Sequence, residues 1–246
     1  MALKLFCLPY AGGSGMIYNQ WKKSFHGLIQ LCPIELAGRG VRFSEPFYAS
    51  IAQAVDDVYE LIKNELEQTP YAFFGHSMGS LLIYELVRKI ENSGFAGPVH
   101  LFLSGRYPPH IIKRDIIYHL LPDAELKSEI LKMGGTPKEV FENPELLAVY
   151  MAILRADYKI LETYQFIPGN QVLNSPLTVF RGKEDESVTG DDLLKWRQYT
   201  KNECEIHEYE GGHFFIFDRM EDVIEIINDT LVQAIIQTGI GQIFEI

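Results

Sequence analysis

The chain has 246 residues, 47% of them apolar, and carries a formal net charge of −11 at pH 7. That length and apolar content suit one sizeable core with room for an inserted subdomain, and two independent domains are not expected. So negative a molecule repels nucleic acid and anionic membrane as general partners.

The first apolar run, residues 3–8, reads as a strand and opens into the small-residue loop Pro9-Tyr10-Ala11-Gly12-Gly13-Ser14-Gly15. A second strand-like run covers 28–34. After Ser50 a helix is expected, with Ile51, Val55, Val58, Ile62 and Leu66 on one stripe and a Ser50/Gln53 capping box at its start. The run 71–75 then enters Gly75-His76-Ser77-Met78-Gly79, which opens the helical pattern Leu81 to Val87. A further strand is read at 98–104. Between Ser104 and Pro168 the rhythm breaks: about two helical stretches and two interruptions, Gly134-Gly135-Thr136-Pro137 and Asn143-Pro144, replace the return to the sheet. One helix there, Glu145 to about Thr163, carries Leu146, Leu147, Tyr150, Met151, Leu154, Tyr158 and Leu161 on a single face. Strands at 176–181 and 204–209 follow. The last helix repeats the apolar stripe with Met220, Val223, Ile224, Ile227, Leu231 and Ala234, and the tail 239–246 is unassigned.

Strands alternating with helices predict an α/β fold with a mostly parallel sheet flanked by helices on both faces. Residues 1–105 and 168–246 form its core, and residues 106–167 are read as an inserted helical lid, placed to cover the carboxyl ends of the strands.

The chemistry is concentrated at the end of the third of these strand-like runs, 71–75. A serine on a sharp strand-to-helix turn projects its hydroxyl into open space, and glycines two residues to either side remove β-carbons that would collide across the bend. Ser77 is therefore the candidate nucleophile, and His76 is read as support for the turn with its ring pointing away. A hydroxyl needs a base and an acid that orients the base, in the chain order Ser, Asp or Glu, His. His213, late in the chain and flanked by Gly211 and Gly212, is the candidate base; His26, His100, His110, His119 and His207 are read as surface or packing residues. The acid is sought in the loop after the strand 176–181, where Asp185 is favoured and Glu184, Glu186 and Asp191 compete. For the developing oxyanion two backbone N–H groups are expected, those of Met78 after the nucleophile and Ala11 in the first loop.

No Gly-Lys-Ser/Thr ending or Gly-x-Gly-x-x-Gly pattern accompanies the first loop, so nucleotide binding is not expected, and no metal-ligand spacing appears. Cys7, Cys32 and Cys204 are odd in number and widely spaced, as reduced thiols are. No apolar run approaches the roughly 18 residues of a membrane span. The apolar start lacks a basic segment and a cleavage pattern, so a cytoplasmic protein is expected.

With these parts in order the chain resembles the α/β-hydrolases, and more narrowly the type II thioesterases that accompany nonribosomal peptide and polyketide synthases. The resemblance rests on Leu8-Pro9-Tyr10-Ala11-Gly12-Gly13, Glu35-Leu36-Ala37-Gly38-Arg39-Gly40, Gly75-His76-Ser77-Met78-Gly79, Leu154-Arg155-Ala156-Asp157-Tyr158 and Gly211-Gly212-His213-Phe214-Phe215. Ser80 stands where that family often shows a third glycine, and Glu184 adds a carboxylate to the acid loop. The resemblance implies hydrolysis of acyl or aminoacyl thioesters held on the phosphopantetheine arm of carrier proteins, by a Ser-His-Asp triad and with no cofactor of the enzyme's own. Carboxylesterase or chain-releasing activity, or a non-catalytic scaffold that binds carriers, are the alternatives. An acidic chain needs a local basic rim to meet acidic carriers; Lys22-Lys23, Arg39 with Arg42, and Lys113-Arg114 are the candidates.

Overall fold

The computed structural model describes residues 2–113, 115–169 and 172–237. Six strands, β1 (Leu3–Leu8), β2 (Ile29–Pro33), β3 (Tyr71–His76), β4 (Leu101–Ser104), β5 (Leu177–Gly182) and β6 (Cys204–Tyr209), form one sheet in the order β2-β1-β3-β4-β5-β6. Every pairing is parallel. The period of two then sends alternate side chains into two cores. Phe6, Leu8, Phe73, Leu103 and Val179 face one, while Leu5, Cys7, Phe74, Phe102 and Phe180 face the other.

The helices that cover these faces follow from the apolar stripes. Helix α1 (Ile51–Ile62) and helix α2 (Met78–Asn92) close the first core, with Val55, Val58, Leu82 and Leu86 buried. Ser50 caps α1 by accepting from the Gln53 N–H, but the Gln53 side chain reaches the Ala49 N–H at 2.7 Å rather than that of Ser50, so the expected reciprocal box is shifted by one residue. A ten-residue 3-10 helix, Gly15–Ser24, closes the second core with Tyr18 and Trp21.

Among the described residues the insertion after β4 holds three α-helices, α3 (Asp123–Met133), α4 (Lys138–Glu142) and α5 (Pro144–Glu162), where about two helical stretches are expected from the sequence. Pro137 immediately precedes α4, and Pro144 is the first residue of α5, a position where its missing N–H costs nothing. On α5 the buried residues are Met151, Ile153, Leu154, Asp157 and Ile160, while Leu146 is exposed, so the inward face is rotated from the stripe read in the sequence. Asp157 was hidden from that reading because a carboxylate is assigned to solvent unless a partner is known. Leu126, Ile130, Met151 and Leu154 form a small third core that reaches Ala11 in the first loop. After β5 come α6 (Gly190–Leu194) and, beyond β6, α7 (Phe215–Asp218) and α8 (Met220–Gln237), whose Val223, Ile224, Ile227 and Leu231 complete the second core. The tail 239–246 lies outside the described residues.

Candidate active site

Ser77 sits between β3 and α2 at φ 53° and ψ −111°, the one non-glycine residue with positive φ among those described. A backbone held there costs of order 1–3 kcal/mol and persists only where its surroundings over-determine it. The surroundings are visible. A β-carbon on Gly75 would meet the Gly79 carbonyl carbon at 2.5 Å, and one on Gly79 would meet the Leu8 carbonyl oxygen at 2.3 Å, so two glycines let β3, α2 and the end of β1 close on each other. The Ser77 N–H continues the ladder to the Ser104 carbonyl at 2.7 Å. Ser80, in place of a third glycine, is buried and ties the turn to β4: its Oγ lies 2.8 Å from the Gly75 carbonyl and accepts from the Ser104 N–H at 3.0 Å.

β5 ends at Gly182 and delivers Asp185; β6 ends at Tyr209 and, through Gly211 and Gly212, delivers His213. The two loops approach so closely that a β-carbon on Gly182 would stand 2.2 Å from the Gly211 carbonyl oxygen and 2.3 Å from that of Gly212. His213 Nδ1 lies 2.7 Å from Asp185 Oδ2. The other oxygen of Asp185 accepts from the Ser187 N–H at 2.9 Å and the Ser187 hydroxyl at 2.6 Å. Burial alone would raise this carboxyl, but the hydrogen bonds from His213 and Ser187 outweigh it and hold Asp185 below the ordinary carboxylate value. Its competitors are elsewhere: Glu184 and Glu186 are exposed, and Asp191 lies exposed in the first turn of α6, where Asp192 completes a capping box with Thr189.

An ionised carboxylate at Nδ1 keeps the proton of a neutral imidazole there and leaves Nε2 as the acceptor. Neither His213 Nε2 nor Ser77 Oγ has a hydrogen-bond partner among the described residues, so the structure brings the candidate acid and base into contact, and sets the base against His76, the neighbour of Ser77 in the chain, without a bond to the serine. Such bonds are commonly loose before substrate binds. The neighbourhood is fixed by His76, whose ring lies 5.0 Å from that of His213. His76 does not point away, as the sequence reading has it. Gly105, at φ 61°, leaves room for the ring, and Nδ1 is 2.9 Å from Ser104 Oγ. Complete burial, with the adjacent His213 second, holds His76 well below the usual histidine value, so it stays neutral beneath the base.

The two proposed oxyanion donors are free. In the first loop the Gly12 N–H is taken by Asp157 at 2.8 Å and the Gly13 N–H by the Tyr10 carbonyl at 2.9 Å, whereas the Ala11 N–H has no acceptor among the described residues. The Met78 N–H, first of α2, also has none, and the helix N-terminus behind it favours negative charge. A cleft of about 440 Å³ opens beside this loop, lined by Tyr10, Gly12, Gly13, Gly135, Tyr150 and Phe217.

Of the candidate basic sites, two are spent internally. Arg39 is buried against Asp157, and Arg42 pairs with Glu45 and Asp57. Lys113 pairs with the buried Asp192, and Arg114 lies outside the described residues. Lys22 and Lys23 are exposed on the 3-10 helix and make no ion pair among the described residues. Among the same residues no cluster of side chains could hold a metal ion, and no helix is long and apolar enough to cross a membrane.

A parallel six-stranded sheet, a strained serine at a strand-to-helix turn and a histidine–carboxylate pair at the ends of later strands define an α/β-hydrolase. Residues 3–231 match the thioesterase domain family. The gramicidin S biosynthesis protein GrsT of Aneurinibacillus migulanus is 39% identical over 223 residues, 91% of this chain and 86% of that protein. ClbQ from the colibactin NRPS/PKS pathway superposes with a TM-score of 0.91 at 36% identity, covering 96% of this chain and 99% of the other. BorB, a type II thioesterase from the borrelidin biosynthetic cluster, superposes with a TM-score of 0.86 at 30% identity over 94% and 93% of the two chains. The chain belongs to the thioesterase family and is a hydrolase acting on thioesters.

Proposed function

We propose that this enzyme is a type II editing thioesterase that removes acyl or aminoacyl groups from the phosphopantetheine arm of carrier protein domains in nonribosomal peptide or polyketide synthesis. The observation that carries the mechanism is the Asp185–His213 contact beside the strained Ser77 turn. Asp185 holds His213 with its proton on Nδ1. His213 Nε2 then takes the Ser77 proton as Oγ attacks the thioester carbonyl, and the Met78 and Ala11 N–H groups bind the oxyanion. The C–S bond breaks, the pantetheine thiol departs with the proton from His213, and an acyl-serine remains. Water, deprotonated by the same ring, attacks that ester and frees the acid. A thiol with pKa of about 8.5 is a far better leaving group than an alkoxide, so proton delivery to sulfur matters less than it does in ester hydrolysis.

The insertion, residues 106–167, is the cover of this site in our reading, supported by the contact of its core with Ala11 and by Gly135, whose place for a β-carbon lies 2.4 Å from the Phe214 ring next to His213. Carrier docking beside the 3-10 helix is supported by the unspent cations Lys22 and Lys23, with Gln20 of the same helix lining the cleft. Comparing an acyl-carrier thioester with a nitrophenyl ester tests the reading. Wild-type enzyme is expected to favour the carrier substrate in kcat/KM, and Ser77→Ala to abolish turnover of both while still binding the carrier. Equal or better use of the nitrophenyl ester overturns the substrate assignment; full turnover by Ser77→Ala overturns the mechanism.

A further inference from the structure

The insertion and the loop after β2 are joined by an ion pair that the proposed chemistry does not use. Arg39, in the loop after β2, and Asp157, on α5, meet with Nη1 and Nη2 each 2.6 Å from one carboxylate oxygen, and both side chains are 3% exposed. The fork-to-fork geometry fixes direction as well as distance. Both partners continue into the first loop: Asp157 Oδ2 accepts the Gly12 N–H at 2.8 Å, and Arg39 Nη1 donates to the Gly13 carbonyl at 3.0 Å. The loop is also pressed against α5, since a β-carbon on Gly12, at φ +79°, would stand 2.8 Å from Leu154 Cδ1.

Peptide planarity turns these contacts into an aiming device. The Ala11 N–H belongs to the Tyr10–Ala11 peptide, whose carbonyl is held by the Gly13 N–H. The next peptide is held through its Gly12 N–H by Asp157, and the Gly13 carbonyl is held by Arg39. With its own peptide and the one that follows both anchored, the Ala11 N–H has one direction left.

We propose that Asp157, locked by Arg39, is a positioning residue for the acyl-transfer step, acting through the Gly12 and Gly13 backbone to aim the Ala11 N–H at the developing oxyanion. This rests on the oxyanion reading given above. It also makes α5 a fixed post of the active site, so any opening of the insertion belongs to α3 and α4.

The test must separate aiming from mere stability, because removing one member strands the other as a buried charge. Arg39→Met combined with Asp157→Leu removes both charges at similar volume, and Asp157→Asn keeps an acceptor while weakening the lock. Each is assayed with an acyl-pantetheine thioester and with an alkylboronic acid, which forms a tetrahedral adduct on Ser77 and so reads oxyanion binding. The double variant is expected to fold with a midpoint near wild type and a similar KM, but to lose about 100-fold in kcat and in boronate affinity alike, the scale of one oxyanion donor. Asp157→Asn is expected to lose less, in the same two quantities, and Asp157→Glu to fall between. A folded double variant with wild-type kcat and boronate affinity overturns the proposal. If the double variant does not fold, unchanged kcat and boronate affinity in Asp157→Asn overturn it instead. Replacing Ala11 by lactic acid deletes only its N–H: full turnover by that ester-linked chain overturns the oxyanion reading itself, while lost turnover there beside an intact double variant overturns only the role of the pair.

Discussion

Asp185 reaches His213 across 2.7 Å because Gly182, three residues before Asp185, has no β-carbon to hold the Gly211–Gly212 segment away. One carboxylate of the acidic run Glu184-Asp185-Glu186 turns inward, and its neighbours face solvent.

Asp185→Asn should therefore slow thioester turnover by about 10⁴-fold, through loss of the charge that holds the productive tautomer, with little change in fold. Glu184→Gln should leave turnover unchanged. Steady-state kinetics of the two variants checks this, and an exchange of the two phenotypes would show that the acid is misassigned.

Gly182→Ala tests the loop junction. The new methyl meets two backbone carbonyl oxygens rather than a flexible side chain, so the Gly211–Gly212 segment must retreat and take His213 with it. A displacement near 1 Å at a catalytic group costs about 100-fold, and kcat is expected to fall by that scale while the sheet persists by circular dichroism. Wild-type kcat in a folded Gly182→Ala enzyme would refute the argument.

His100 sets part of the acid limit of stability. It is 8% exposed, 2.8 Å from Thr178 Oγ1, and burial pushes its pKa down from 6.5 to about 4. The unfolded chain accepts a proton that the folded ring refuses, so stability is complete above the unfolded value and is lost as pH falls from about 6.5 towards 4, by about 3 kcal/mol from this residue. His76, also held low, acts in the same direction. Urea unfolding near neutral pH and near pH 4 should show a smaller acid loss in His100→Gln, by that amount; an identical loss would remove His100 as the cause.

Lys22→Glu with Lys23→Glu reverses the charge that remains available for an acidic carrier. KM for a carrier-bound thioester should rise about tenfold at low salt and less at high salt, because exposed charges are screened, while KM for acyl-pantetheine alone stays constant. Equal effects on both substrates would place the carrier elsewhere.

How far the sequence reaches depends on the range of the interaction involved. The six strands, the turn at Ser77 and the helices α1, α2 and α8 were legible because hydrophobic period, capping residues and elbow glycines act within a few residues of one another. Ser80 was legible only as a departure; its role as a tie between β3 and β4 depends on Ser104, which lies across the sheet.

The sequence by itself determined the α/β order, the short list of candidate nucleophile, base and acids, and the acidity that makes free cations scarce. The tertiary structure decided which carboxylate meets His213, that His76 lies against His213, and that Arg39 and Asp157 neutralise each other instead of facing a partner or solvent. The reason is that desolvation and charge pairing belong to groups 28 and 118 residues apart in the chain, and no local pattern of residues encodes a contact made only when the sheet brings its loops together.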